Sequence, residues 1–277
     1  MRRTRFAPAP TGWLHLGHVA SALHVWRLAR EHGAEVLLRV EDHDRQRSRP
    51  EFEAALLDDL DWLGFVPDVY PTSAFRAGRC ESRQSDRLAI YEAEARRLID
   101  AGLVYGCRCS RRDVAGAGGA DGGDERRYPG TCADLGLPLD DHGWRLRIAP
   151  GVETFDDLLL GPQAQDPAAE CGDVLIRDRL GNWTYQFVAS VDDHLQGIDL
   201  VVRGRDLLAS TGRQMRIARL LGRGAPARFA HHALIMKSPS QKLSKSDGNR
   251  GVRDLRARGW TAEDVRWEAA RLLRAAW

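Results

Sequence analysis

The first forty residues constrain this chain more than any other stretch. Residues 2–6 read as a short strand, and Pro8 and Pro10 then force a turn. From Gly17 to about Glu31 the apolar residues Val19, Ala22, Leu23, Trp26 and Ala29 recur at helical spacing, and Gly33 ends the helix. Residues 35–40, Glu-Val-Leu-Leu-Arg-Val, read as a second strand. Strand, turn, helix, strand is a βαβ unit, whose right-handed crossover makes the strands parallel and puts functional loops at their C-terminal ends.

The rest of the chain extends that unit. Residues 51–64 and 83–101 pattern as amphipathic helices, and residues 115–124 are almost wholly Gly, Ala and Asp, as in a mobile loop. Short β segments with turns run from Trp144 to about Trp183. A buried-strand pattern returns at 198–202, followed by a helix near 206–221 and a last strand near 229–236. A C-terminal helix over 261–276 is opened by Thr261, with Glu263 and Asp264 in its first turn. The expectation is an α/β, Rossmann-like fold split by an inserted subdomain: a first half over 1–103, the insertion over 104–183 and a second half over 184–277.

With 277 residues, 43% of them hydrophobic, the chain can bury a substantial core. No run approaches the roughly 20 apolar residues of a membrane span. Met1-Arg2-Arg3 has the charge of a signal peptide without its apolar stretch, so a cytoplasmic protein is expected, with no membrane partner. A net charge of +2 argues neither for nor against nucleic acid. The distribution of cations says more. Of 41 basic residues only three are lysines, Lys237, Lys242 and Lys245, all within one short window. Arginine serves elsewhere, so a compact mobile ammonium has a use here that a planar guanidinium cannot fill.

Two strings carry candidate chemistry. In Ala7-Pro8-Ala9-Pro10-Thr11-Gly12-Trp13-Leu14-His15-Leu16-Gly17-His18, two histidines three apart share one face of a helix's first turn. The free N–H groups and the dipole there favour an anion, and imidazole donors can stabilise phosphate charge such as that of ATP. Gly17 between them lets a flat base or a phosphate approach the backbone. In Lys242-Leu243-Ser244-Lys245-Ser246-Asp247-Gly248, two ammonium groups three apart can close on a triphosphate and offset the departing pyrophosphate. Alone, the first string could be a surface pair or half a metal site, and the second a solvated loop.

In this order, at opposite ends of a split fold, the strings resemble the two signature motifs of class I aminoacyl-tRNA synthetases. Arg5-Phe6-Ala7-Pro8-Ala9-Pro10-Thr11-Gly12, Leu38-Arg39-Val40-Glu41-Asp42, Tyr185-Gln186-Phe187 through Val191-Asp192-Asp193-His194, and Val202-Arg203-Gly204-Arg205-Asp206 resemble glutamyl-specific members. The resemblance spans residues 5 to about 250. It implies ATP with Mg²⁺ and L-glutamate as ligands, with His15, Gly17, His18 and Lys245 on ATP and His15, His18, Lys242 and Lys245 as catalytic groups. It implies Arg5 on the substrate's side-chain carboxylate, Phe6, Ala7, Pro8 and Ala9 lining the pocket, Glu41 on the α-ammonium, and Tyr185 and Arg203 completing the site. Two arginines and one glutamate suit a ligand with two carboxylates and one ammonium. Ala9 stands where the family usually has serine, so one hydroxyl contact is missing or replaced.

Five cysteines, an odd number, argue against a disulfide framework. Cys80 and Cys171 stand apart, although Cys171 could lie near the other three. Cys107-Arg108-Cys109 and Tyr128-Pro129-Gly130-Thr131-Cys132 place three thiols close together, one donor short of the four that structural zinc takes. The arrangement resembles the zinc site of glutamyl-queuosine tRNA(Asp) synthetases, where a tyrosine oxygen completes the set, which implies a zinc site of Cys107, Cys109, Tyr128 and Cys132. Only 31 residues follow Ser246, too few for a helical anticodon-binding domain, and Leu207 stands where full-length glutamyl enzymes tend to carry histidine. The expectation is a monomer that transfers glutamate to queuosine in the anticodon stem-loop of tRNA(Asp). A shortened enzyme charging the tRNA 3′ end, a non-catalytic RNA-binding module, and a nucleotidyltransferase acting on a small molecule are the competing readings.

Overall fold

A computed structural model describes residues 1–116, 127–234, 236–238, 241–242 and 251–274. The first half holds β1 (Arg3–Phe6), α1 (Leu16–His32), β2 (Glu35–Leu38), α2 (Pro50–Leu63), α3 (Thr72–Arg76) and α4 (Leu88–Asp100). Then come β3 (Val104–Cys107), α5 (Arg111–Gly116), β4 (Gly143–Leu146), β5 (Glu153–Asp157), β6 (Gly161–Gln165), α6 (Pro167–Glu170) and β7 (Val174–Arg177). The remainder is α7 (Tyr185–Leu195), β8 (Leu200–Gly204), α8 (Thr211–Leu220), β9 (Arg228–His232), β10 (Met236–Ser238), β11 (Gln241–Lys242), α9 (Val252–Ala257) and α10 (Ala262–Arg274).

The main sheet has the order β2-β1-β8-β9-β5-β6, and every neighbouring pair is parallel except the β5–β6 hairpin at one edge. Strands β2 and β8 are apolar on both faces: Leu37, Leu38, Leu200, Val201 and Val202 are all buried, as cover on both sides requires. The sequence pattern placed 144–183 wholly in an insertion. The structure divides that stretch: β3, β4 and β7 form a separate antiparallel sheet, while β5 and β6 extend the main one. Strand β6 is Gly-Pro-Gln-Ala-Gln, with no apolar alternation, so its place comes from pairing with β5 and not from its own pattern. Of the expected mobile loop, residues 117–124 lie outside the described residues, as does Lys245 with the rest of 243–250. No described helix is long and apolar enough to cross a membrane.

One buried group in this core makes stability depend on pH. His24, on α1, stacks on His232 at the end of β9 with ring centroids 4.6 Å apart, and neither His24 nitrogen has a hydrogen-bond partner among the described residues. Burial, aided by His232 and Arg27, pushes its pKa from 6.5 down to about 4. The folded chain therefore binds this proton more weakly than the unfolded chain. Stability is fully present above pH 6.5 and is lost as the pH falls towards 4. The loss from one such group is on the order of 3 kcal/mol. His24→Phe, which keeps the stack without the titration, should flatten the fall in denaturant midpoint between those pH values. An unchanged profile would show that His24 is not the cause.

Candidate active site

The candidate residues gather where the parallel strands end. After β1 the chain turns through the two prolines, whose carbonyls are tied to the segment beyond β2: Glu41 N–H donates to Pro8 O at 3.1 Å and Arg49 N–H to Pro10 O at 3.1 Å. Phe6 and Pro8 are buried while Ala7 and Ala9 are partly open. His15 then caps α1, its Nδ1 accepting from Gly17 N–H at 3.0 Å, and His18 Nδ1 accepts from His15 N–H at 3.1 Å. With Nδ1 accepting, each neutral ring carries its hydrogen on Nε2, as a phosphate donor needs. Gly17 has a more local role than expected. A Cβ there would lie 2.8 Å from His15 Cε1, so the glycine makes room for the capping ring itself. Gly17→Ala should displace that ring, with a loss of about tenfold or more in any activity that uses it. Rates for wild type and variant would check this.

Lys242 ends β11, which pairs with β10 after β9. The chain is next described at Gly251, which bridges to His15, and Val252 N–H donates to Leu14 O at 2.8 Å. The lysine segment is thus tethered downstream to the histidine segment.

Beside these lies a pocket of buried charge. Arg5 is 4% exposed; its Nε donates to Asp193 Oδ1 at 3.1 Å and its Nη1 to Val202 O at 3.1 Å. No described residue is hydrogen-bonded to its Nη2. Arg39 is fully buried and is held by Glu41 Oε1 at 2.9 Å and Asp193 Oδ1 at 2.8 Å. Both Arg39–Glu41 bonds fall on Oε1, so Oε2 is without a hydrogen-bond partner among the described residues. Burial pushes the Asp193 carboxyl up, but Arg5 and Arg39 outweigh it and hold the group at about 2. Arg203 donates to His231 Nε2 at 3.0 Å, Gln214 Oε1 at 2.6 Å and Thr211 Oγ1 at 2.8 Å. All three partners are uncharged acceptors. Its counter-charge is one step away, because His231 Nδ1 donates to Asp157 Oδ2 at 2.5 Å. Burial lowers the Arg203 pKa. Tyr185, the first residue of α7, has its phenol pKa raised by burial and by Glu41, and it senses Arg203 and Arg5.

The structure therefore brings Arg5, Glu41, Tyr185 and Arg203 together. It adds Arg39, Asp193 and His231, to which the sequence reading gave no role. The available signal was an arginine inside the otherwise apolar strand pattern Val-Leu-Leu-Arg-Val.

A cleft of about 910 Å³ is lined by His43 and Tyr185 together with Cys107, Cys109 and Tyr128, so Tyr185 is common to it and to the pocket. The sulfurs of Cys107, Cys109 and Cys132 lie within 4.8 Å of one another. Cys109 Sγ is 3.5 Å from Cys132 Sγ, and Tyr128 Oη is 3.5 Å from Cys107 Sγ and 4.0 Å from Cys109 Sγ. A tetrahedral zinc with ordinary bond lengths needs S···S of about 3.8 Å and S···O of about 3.5 Å, so the donor set fits. Burial opposes ionisation of Cys132, but hydrogen bonds from the Arg108 backbone, Tyr128 and the other thiols bring it down to about 7. Arg145, unforeseen in the sequence, stacks 3.5 Å over the Tyr128 ring and donates to Cys107 Sγ at 3.3 Å. Cys171 is not in the set: its thiol donates to Pro167 O at 2.9 Å, and burial pushes its pKa up to about 12.

A family model described as class I tRNA synthetases (E and Q), catalytic domain, matches residues 1–269. A protein of Bordetella bronchiseptica named Glutamyl-Q tRNA(Asp) synthetase is 43% identical over 257 residues, covering 88% of this chain and 75% of that protein. One of the same name from Rhodobacter capsulatus is 39% identical over 284 residues, covering 95% and 98%. Among solved structures, a glutamate tRNA ligase from Elizabethkingia meningosepticum, in complex with its amino acid, superposes with a TM-score of 0.72 at 27% identity over 90% of this chain. The chain spans 52% of that ligase's length.

Proposed function

The chain belongs to the class I tRNA synthetase catalytic-domain family of the glutamate and glutamine type, and from that premise we propose that it activates glutamate and transfers it to queuosine in tRNA(Asp). The observation that carries the first step is the buried pocket itself. In this reading Arg5 Nη2 and Arg203 take carboxylate oxygens and Glu41 Oε2 the ammonium of glutamate, supported by the hydrogen-bonding capacity each keeps in the pocket. An α-carboxylate oxygen of glutamate attacks the α-phosphorus of ATP, and the bond to pyrophosphate breaks. His15 and His18 donate to phosphate oxygens, and Lys242 and Lys245 offset charge on the leaving group. Mg²⁺ accompanying ATP would share that neutralisation. In the second step a ring hydroxyl of queuosine displaces AMP from the adenylate. The choice of acceptor is supported by the near-complete overlap with the Rhodobacter relative of that name.

Activation is tested by pyrophosphate exchange. Exchange that depends on glutamate, and that glutamine supports at least about 10²-fold less well, is the expected result, because the buried Arg5 guanidinium that takes the side-chain carboxylate is poorly matched by an uncharged amide. Equal exchange with glutamine would contradict the pocket assignment.

Zinc in the thiol cluster is part of the same proposal. Cys107, Cys109, Cys132 and Tyr128 would hold one ion, tying the 128–132 segment to the end of β3 as a structural site. Three thiolates around a divalent ion leave one negative charge, which the Arg145 guanidinium offsets. Metal analysis of protein purified without chelators should give about one zinc per chain. Cys132→Ser should lower zinc content and loosen the 128–132 segment while glutamate exchange stays within about threefold. Metal-free wild type would rule out the site.

A further inference from the structure

His43 follows β2, two residues beyond Glu41, and its half-buried ring forms part of the cleft wall. The ring centroid is 6.3 Å from that of Tyr185, so the imidazole stands at the rim of the amino-acid pocket on the side of the cleft. Its orientation is fixed from behind. His43 Nδ1 is 2.6 Å from Gln84 Oε1, and Gln84 Nε2 donates to Asp192 Oδ2 at 2.8 Å. Both Gln84 and Asp192 are fully buried. Asp192 also accepts from Arg87 Nε at 2.7 Å and from Tyr91 Oη at 2.9 Å. Turning the Gln84 amide over would set its oxygen against this carboxylate, so Oε1 must face the histidine. Nδ1 then carries the hydrogen of the neutral ring, and Nε2 keeps its lone pair. No described residue is hydrogen-bonded to Nε2.

A buried carboxylate, an amide and an imidazole in series set the tautomer of a base and leave its accepting nitrogen at the cleft. Nothing in the activation step uses such a base, because the attacking glutamate carboxylate is already ionised. The transfer step does need one, since an alcohol must lose its proton as it attacks. We propose that His43 Nε2 is the general base of the transfer step, a role that rests on the acceptor assigned above. The queuosine hydroxyl oxygen bonds to the glutamyl carbonyl carbon, and the carbon–oxygen bond to AMP breaks with its electron pair leaving on the phosphate. The hydroxyl proton passes to His43 Nε2 and from there to solvent. Gln84 is a positioning residue that acts through the histidine.

The test reads transfer in a single turnover, from enzyme preloaded with glutamyl-adenylate to an anticodon stem-loop carrying queuosine, so that changes in activation drop out. His43→Asn can still donate to Gln84 from the position of Nδ1 but has nothing at Nε2, whereas His43→Ala leaves space for imidazole. Both variants should transfer about 10²-fold more slowly than wild type, and added imidazole should accelerate His43→Ala alone. Transfer by His43→Asn at the wild-type rate overturns the proposal. So does a slow, folded His43→Ala that imidazole does not accelerate, because the ring would then only be structural. If loaded wild type leaves the stem-loop unmodified, the acceptor assignment fails, and this role for His43 fails with it.

Discussion

Arg203→Ala should lower glutamate-dependent pyrophosphate exchange by about 10³-fold while the chain remains folded. The guanidinium is 5% exposed, and its three hydrogen bonds go to His231, Gln214 and Thr211, none of which brings a negative charge. No described carboxylate is in ion-pair contact with it, in contrast to Arg5 with Asp193 or Arg39 with Glu41. A substrate carboxylate would supply the missing charge where water does not compete. Losing one partner of such a buried pair costs about 3–5 kcal/mol, which corresponds to between 10² and 10⁴ in rate. The cost should fall mainly on glutamate binding. Stability should change little, because removing a buried cation with neutral partners also removes its desolvation penalty. Arg203→Lys should be almost as poor, since an ammonium cannot satisfy three acceptors fixed in the plane of the fork. Exchange within tenfold of wild type would show that Arg203 does not hold glutamate.

Lys245→Ala should reduce exchange by a similar factor, on the order of 10³, with the effect on kcat instead of glutamate KM. The argument is compositional. A chain that writes 38 of its 41 cations as arginine keeps lysine only at 237, 242 and 245, in the segment that leads to Gly251 beside His15. A charge needed only as pyrophosphate departs contributes to the transition state and little to the ground state. Lys245→Arg should recover only a small part of the rate. Full exchange by a folded Lys245→Ala chain would remove this loop from the chemistry.

What could be read from the sequence was what it encodes locally. Strands β1 and β2 and helix α1 announce themselves through spacing, prolines and Gly33, and the thiols through the chemistry of soft ligands. Arg5, Glu41, Tyr185 and Arg203 were reached through motifs, and the structure places them in one pocket. The supporting network was hidden because its partners are distant in the chain. Arg39 meets Asp193 across 154 positions, and Gln84 meets Asp192 across 108. Glu41, two residues on, is a partner that the sequence offers locally, but nothing near Arg39 points to Asp193. Separation in the chain likewise concealed the relay behind His43, whose partner Gln84 lies 41 positions on, while the Arg145 stack on Tyr128 joins β4 to the 128–132 segment. The β5–β6 hairpin was misplaced for a related reason: a strand of Gly, Pro, Ala and Gln is defined by its neighbour.

The central claim concerns where glutamate goes, and one comparison of acceptors tests it. The acceptors are an anticodon stem-loop carrying queuosine, the same stem-loop with guanosine, and whole queuosine-containing tRNA(Asp) lacking its 3′ adenosine. Sequence-specific recognition of an unpaired loop lets a base be splayed out into a cleft such as the one beside Tyr185. Labelled glutamate should appear on the first and the third and be absent from the second, more weakly as salt rises. If removal of the 3′ adenosine abolishes transfer, or if the guanosine stem-loop is modified equally well, the queuosine assignment is wrong.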